Sequence, residues 1–261
     1  MKASILESLE ALEAESGLRI LHACESGSRA WGFASRDSDW DVRFVFAWPR
    51  DAYLRVHSPP NTVGRQLPGD LDLSGWDLRM ALSQFARSNG SFLEWLGSPI
   101  VYRQDEAFRQ ALDALRPPYF QPRAALFHYL GQARSLWPED AGEGAALNGK
   151  KCLYVLRSVL AAAWVAAART QPPVPFAELL PLVGDTGLRR EIDALLVDKA
   201  AGAEADAYPV SAALRAYVVE QRAALELVAR DLAAPAVEMG PLDALFRTTL
   251  DRLEAAPGHD A

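Results

Sequence analysis

Apolar positions in the first part of the chain switch between helical and strand spacing. Residues 3–16 carry Leu and Ile at intervals of three and four, which predicts an amphipathic helix that Gly17 ends. Residues 18–24 form a short apolar run of strand length. Residues 40–46 are rich in β-branched and aromatic side chains and predict a second strand. The chain therefore begins as a mixture of helix and strand.

The pattern from residue 51 to residue 102 continues this mixture. Residues 51–69 contain several Pro and Gly residues and predict a short helical piece followed by a loop. Residues 70–73 alternate Asp and Leu, which is typical of a half-buried strand. Residues 76–87 and 91–96 have helical spacing, and residues 98–102 predict a final strand with Pro near its start.

The spacing becomes uniformly helical after Arg116-Pro117-Pro118, and no convincing strand follows. Helices are predicted at residues 122–136, 150–168, 175–184, 187–200, 208–233 and 241–255. We therefore expect an α/β half and an α-helical half, with a boundary near residue 118.

The composition excludes several classes of protein. Hydrophobic residues make up 50% of the 261 residues and charged residues 23%, which excludes a disulfide-dense miniprotein and low-complexity disorder. The longest apolar stretch, residues 159–168, has about half the length of a transmembrane helix. The acidic N-terminal segment lacks the basic start of a signal peptide. We expect a cytoplasmic protein with no membrane partner.

The net charge and the two cysteines limit the binding partners and the metal sites that the chain can have. The net charge of −7 disfavours broad binding to duplex nucleic acid, which requires many phosphates to be neutralised, but it permits a narrow basic site. Cys24 and Cys152 lie in apolar runs without metal-ligand spacing, so we expect buried free thiols.

The stretch from residue 25 to residue 45, ESGSRAWGFASRDSDWDVRFV, carries the candidate chemistry. Gly27 and Ser28, between a strand and a helix, suit a phosphate cradle, because Gly permits close approach and the helix N-terminus attracts anions. Asp39 and Asp41 are two apart on a predicted strand, so their side chains share one face. Two adjacent carboxylates repel each other unless a cation lies between them, and Mg²⁺ with its oxygen ligands meets that need.

A third carboxylate is expected on a neighbouring strand. Asp72 is the first choice, Asp70 is an alternative on the same face, and Asp77 is a second alternative at a predicted helix start. Three carboxylates would hold two metal ions, which would activate an attacking hydroxyl and stabilise charge around a phosphorus atom.

The helical half contributes a second group of candidates. Lys150, Tyr154 and Arg157 lie on one face of a predicted helix, with Lys151 at its edge, and could clamp a triphosphate. Glu94 is interpreted as a buried acid with a structural role.

These motifs together resemble the DNA polymerase β-like nucleotidyltransferase superfamily. The Gly-Ser, the later Asp-x-Asp and the lone strand carboxylate match its pattern. The stretches DLSGWDLRMALSQFARSNGSFLEWLGSPIVY (72–102) and KKCLYVLRSVLAAAWV (150–165) are similar to its RNA-repair-pathway group.

The resemblance implies an α+β fold, with a small mixed β-sheet nucleotidyltransferase domain over residues 1–118 and an α-helical domain over residues 119–261 that closes a cleft. It implies Mg²⁺-dependent transfer of a nucleoside monophosphate from an NTP to a hydroxyl, with two ions and with Mn²⁺ as a substitute. The implied catalytic and metal-binding residues are Asp39, Asp41 and Asp72. The implied residues for the NTP phosphates are Gly27, Ser28, Lys151, Tyr154 and Arg157.

The sequence departs from the family pattern at Asn89-Gly90, where Asn-Pro is expected, and this departure is expected to loosen the turn. The acceptor is left open between an RNA end and the hydroxyl of a small molecule or protein. A non-catalytic nucleotide-binding or antitoxin-like module of the same fold is the further alternative.

Overall fold

A computed structural model describes residues 1–137, 146–202 and 208–255. The strands are β1 (Arg19–Glu25), β2 (Trp40–Ala47), β3 (Thr62–Leu67), β4 (Leu71–Asp77), β5 (Val101–Gln104), β6 (Ala146–Leu147) and β7 (Tyr208–Pro209). The helices up to residue 136 are α1 (Lys2–Ser16), α2 (Gly27–Trp31), α3 (Arg50–Tyr53), α4 (Leu78–Ala86), α5 (Gly90–Gly97), α6 (Glu106–Tyr119) and α7 (Pro122–Leu136). The later helices are α8 (Gly149–Ala168), α9 (Phe176–Leu179) with a 3₁₀ turn (Leu180–Leu182), α10 (Thr186–Ala200), α11 (Ala212–Asp231) and α12 (Gly240–Ala255).

The first five strands form one mixed sheet in the order β3-β4-β2-β1-β5. β2 and β4 are parallel, and every other neighbouring pair is antiparallel. This confirms the predicted mixed sheet. The short strands β6 and β7 pair separately in the helical part, where no strand was predicted.

Apolar side chains cover both faces of the sheet. Ile5, Leu9 and Leu12 of α1 are buried against one face, in a cluster with Phe44 and Leu73. The helices α4, α5 and α6 pack on the other face. The period of about four between the buried residues of α1 is the reason that this segment is helical and lies flat on the sheet.

The second half is built around α8, which packs against α7, α10 and α11. By length and composition α8 could cross a membrane, but 61% of its apolar window is buried inside the fold, as in a core helix. The last described helix, α12, leaves this bundle and packs on α3, α4 and α6. The boundary near residue 118 stays a prediction.

Two further elements, besides β6 and β7, differ from the sequence-based expectation. Residues 62–67, predicted as loop, form the edge strand β3 because they pair antiparallel with β4. Residues 106–119 form α6, which was not predicted. Asp105 caps this helix by accepting from the backbone N–H of Phe108 at 2.9 Å, and Phe108 and Leu112 are buried. Cys24 and Cys152 are buried free thiols, as predicted.

Candidate active site

Asp41 and Asp72 lie side by side on the neighbouring parallel strands β2 and β4. Their Cα atoms are direct partners in the strand register. Because registered residues on adjacent strands point to the same face, the two carboxylates share one surface. Their side chains are 31% and 35% exposed. The sheet therefore presents two solvent-accessible carboxylates together.

The guanidinium of Arg43 lies between these two carboxylates and forms an ion pair with each of them. Its Nη2 lies 2.9 Å from Oδ1 of Asp41, and its Nη1 lies 2.8 Å from Oδ2 of Asp72. Arg43 was not among the predicted site residues. The signal was present, since residues two apart on a strand share a face and Arg43 follows Asp41 at that spacing.

Asp39 lies just before β2 and is exposed. The main chain here is held by Arg29, whose Nη2 donates to the carbonyl of Ser38 at 2.6 Å and whose Nε donates to the carbonyl of Asp39 at 2.9 Å. Within residues 1–137, 146–202 and 208–255, no group of three or more His, Cys, Asp or Glu side chains is assembled as a metal site. The assignment of Asp39 as a ligand stays a prediction.

Gly27 packs directly against Asp41. Its φ is +60°, and a Cβ at this position would lie 2.5 Å from Oδ2 of Asp41. Any other residue would therefore collide with the carboxylate and adopt a strained backbone. The neighbouring Ser28 is buried in α2. The predicted Gly-Ser motif thus lies next to Asp41.

Glu25 supports Asp41 from inside the fold and was missed by sequence reasoning, which placed it in a break after β1. It is fully buried at the end of that strand. Its Oε1 accepts from the backbone N–H of Asp41 at 2.8 Å, and its Oε2 accepts from the hydroxyl of Tyr102. Burial raises the pKa of this carboxyl above its usual range. Glu25 thereby positions the main chain that carries Asp41.

The two alternatives to Asp72 lie elsewhere on the same strand segment. Asp70 is exposed in the turn before β4, and its carbonyl accepts from the N–H of Trp40. Asp77 ends β4 and caps α4 by accepting from the N–H of Arg79 at 2.9 Å, and burial raises its carboxyl pKa. Asp77 pairs in register with Phe46, five positions along β2 from Asp41. Of the three carboxylates, Asp72 is the registered partner of Asp41.

The predicted phosphate-binding residues of α8 have different environments. Lys151 is exposed, whereas Arg157 is buried. The Nη1 atom of Arg157 lies 2.8 Å from Oε1 of Glu94, and its Nη2 donates to the carbonyl of Val174 at 3.3 Å. Glu94 is thus a buried structural acid, as predicted. The role of Arg157 as a phosphate ligand stays a prediction, because its guanidinium is engaged inside the protein.

Trp31 connects α2 to α8. Its ring contacts Tyr154 edge to face with centroids 4.8 Å apart, and the guanidinium carbon of Arg157 lies 4.3 Å from its ring centroid. Its indole N–H donates to Oε2 of Glu94 at 3.0 Å. Gly27 and Ser28 begin the same short helix, so the two predicted groups of phosphate-binding residues lie on elements in direct contact.

Two comparisons with known proteins match the chain. The sequence model of a family described as the RNA repair pathway DNA polymerase beta family matches residues 1–248. The uncharacterized protein YcgL of Bacillus subtilis (strain 168) is 39% identical over 207 residues, which cover 79% of each chain.

Proposed function

Because the chain belongs to the RNA repair pathway DNA polymerase beta family, we propose that it transfers a nucleoside monophosphate from an NTP to a hydroxyl acceptor. The observation that supports this proposal best is the registered pair of Asp41 and Asp72, with Gly27 packed against Asp41. A nucleotidyltransferase needs adjacent carboxylates beside a loop that admits phosphates closely, because its chemistry consists mainly of positioning and electrostatic stabilisation.

The donor set fits Mg²⁺, with Mn²⁺ as a substitute. The carboxylates of Asp41 and Asp72 supply hard oxygen ligands, and both contact the same cationic group in this structure, the guanidinium of Arg43. Asp39, exposed just before β2, would complete the set for two ions. Bound metal would neutralise phosphate charge and lower the pKa of the attacking hydroxyl.

The residues of the chain then have separate roles in the transfer. Gly27 lets the triphosphate approach the main chain, and the hydroxyl of Ser28 donates to a phosphate oxygen. Asp72 accepts the proton of the acceptor hydroxyl. The hydroxyl oxygen forms a bond to the α-phosphorus, the bond from that phosphorus to the bridging oxygen breaks, and pyrophosphate leaves. Lys151 and Tyr154 hold the outer phosphates from the helical side.

An RNA end is the acceptor that we favour. The family description refers to RNA repair, and an end requires few phosphate contacts, which agrees with a net charge of −7. The hydroxyl of a small molecule or protein is the alternative, and the mass of the labelled product distinguishes the two.

The test is pyrophosphate release from each of the four NTPs with Mg²⁺ or Mn²⁺, with and without cellular RNA. Asp41→Asn and Asp72→Asn remove charge without changing shape, and we expect each to reduce the rate at least 100-fold, since interactions with a transferring phosphate contribute most of the rate enhancement (roughly 10²–10³ for one such group).

Asp70→Asn is the matched control, because it removes the same charge two residues away, in a turn where Asn tolerates a φ of +55°. We expect it to retain activity. Release that survives in both the Asp41 and Asp72 variants would contradict the proposal. Binding of NTP without any release by the natural protein would favour a nucleotide-binding module instead.

A further inference from the structure

Arg43 bridges the two carboxylates to which the proposed function, on which this inference rests, assigns a divalent ion. Its guanidinium contacts Oδ1 of Asp41 and Oδ2 of Asp72 at the same time, at 2.9 and 2.8 Å. Its Nη1 also donates to the carbonyls of Val42 and Asp72, at 3.2 and 3.3 Å. The side chain is thus held in a defined place.

One oxygen of Asp41 is engaged by Arg43 in this arrangement, and the other lies against Gly27. Oδ1 accepts from Arg43, and Oδ2 faces the Cα of Gly27 so closely that a Cβ there would lie 2.5 Å away. A divalent ion that binds the same oxygens meets a positive charge within a few ångströms. Two cations in one gap repel each other, so occupancy by the guanidinium and by a metal ion must compete.

The side chain also has a path out of the gap. It remains 20% exposed, and the carboxylates that it bridges are about one third exposed. A guanidinium that leaves the pair can therefore be hydrated without any movement of the strands.

We propose that Arg43 is a displaceable counter-ion of the Asp41–Asp72 pair. Its single positive charge offsets part of the repulsion between the two carboxylates, and it must leave before a divalent ion binds between them. Arg43 is therefore a positioning residue that sets the metal concentration at which the site fills. By linkage, the apparent metal affinity is the intrinsic affinity multiplied by the fraction of molecules in which the bridge is open.

The test measures Mn²⁺ binding to the full chain without nucleotide, from the electron paramagnetic resonance signal of free Mn²⁺. Arg43→Gln removes the competing charge, and we expect its Kd for Mn²⁺ to be about tenfold lower than that of the natural protein. The metal-free Tm of this variant is expected to fall, because the paired carboxylates lose their counter-ion. The difference in Tm should narrow when Mn²⁺ is added at saturation.

Arg43→Lys retains the charge but cannot bridge two carboxylates with a planar fork, so an intermediate Kd is expected. If Arg43→Gln does not fold, the Kd of Arg43→Lys for Mn²⁺ is compared with that of the natural protein instead. Arg65→Gln is the matched control. Arg65 lies on the same sheet, pairs with Glu15, and is in register with Leu73, which faces α1. It should leave the Kd for Mn²⁺ unchanged.

The same Kd in the natural protein and in Arg43→Gln, weaker binding by the variant, or no Mn²⁺ binding by either would overturn the inference. Pyrophosphate release, measured on the same preparations, keeps the two proposals separate. Release with an unchanged Kd would support the proposed function and reject the role of Arg43. Tighter Mn²⁺ binding by Arg43→Gln in a protein that never releases pyrophosphate would support the counter-ion and reject the reaction.

Discussion

At the scale of single residues, the burial of His22 makes the stability of the protein depend on pH. The ring lies in β1 with 1% of its surface exposed, and its Nε2 lies 3.2 Å from the carbonyl oxygen of Trp95. Its Nδ1 is buried and has no hydrogen-bond partner among the residues that the structure describes. Burial lowers the pKa of His22 to about 4. A proton on this ring would bring a charge into a place that water does not reach.

We predict that stability falls as the pH drops from about 6.5 to about 4, because in this range the unfolded chain binds a proton that folded His22 does not bind. The loss from this residue is about 3 kcal/mol. His22→Gln should reduce the slope of the free energy of unfolding against pH, measured by urea denaturation at several pH values. His128 also has a pKa lowered by burial, so part of the slope should remain.

His57→Gln is the control, since His57 is exposed. It should preserve the full dependence on pH. An acid-sensitivity of His22→Gln equal to that of the natural protein would show that burial of this ring is not the cause.

At the scale of elements, the start of α5 explains the departure from the family pattern at Asn89-Gly90. Asn89 caps the helix by accepting from the N–H of Phe92 at 3.0 Å. The loosening of the turn relative to Asn-Pro stays a prediction. A Cβ on Gly90 would lie 2.2 Å from the ring of His128. The ring of His128, from α7, therefore occupies the space that a larger residue at position 90 would need.

We predict that Gly90→Ala lowers the free energy of unfolding by about 1–3 kcal/mol through overpacking. The second substitution His128→Ala should recover most of this loss, because it removes the ring that the new methyl group meets. Urea denaturation of the two single variants and the double variant checks this. Additive losses in the double variant would mean that the contact with His128 is not responsible.

At the scale of the whole molecule, a buried ion pair joins the sheet-bearing part to the helical part. Glu94 lies on α5, which packs on the sheet, and Arg157 lies on α8, in the centre of the helical bundle. Their side chains are only 9% and 2% exposed. Trp31 contacts both partners, so the helix that begins with Gly27 is held at the same junction.

We predict that Arg157→Met lowers the free energy of unfolding by about 3–5 kcal/mol, because it leaves the carboxylate of Glu94 buried without its charge partner. Combining it with Glu94→Leu should cost less than the sum of the two single changes. Arg134→Met is the control. It breaks the pair with Glu226, in which the arginine is 57% exposed, and should cost less than about 1 kcal/mol.

Urea denaturation of these variants measures their free energies of unfolding. A loss for Arg157→Met as small as that of Arg134→Met would contradict a junction held by this pair. If Arg157 also binds phosphate, variants that stay folded will bind NTP more weakly, and this second measurement separates the two roles.

Local sequence patterns were sufficient to predict several parts of the fold and of the candidate site. The predicted helices at 122–136 and 150–168 match α7 and α8 closely, because apolar residues recur at helical spacing through both segments. The spacing of Gly27, Asp39 and Asp41 indicated the superfamily, and the stretches 72–102 and 150–165 indicated its RNA-repair group, which the family match confirms. Strand β3 and helix α6 were missed. β3 is an edge strand whose backbone is satisfied only by pairing with β4.

The sequence by itself determined helices such as α7 and α8, which depend on local apolar spacing, and the family, which depends on short motifs and two longer stretches. The mixed sheet followed from the resemblance to the family. Only the tertiary structure decided that Asp72, rather than Asp70 or Asp77, lies beside Asp41, because strand register follows from the packing of both strands against the core. It also decided the partners of Arg43 and Arg157. The contacts of a charged side chain depend on residues distant in the chain, and no local pattern encodes their approach.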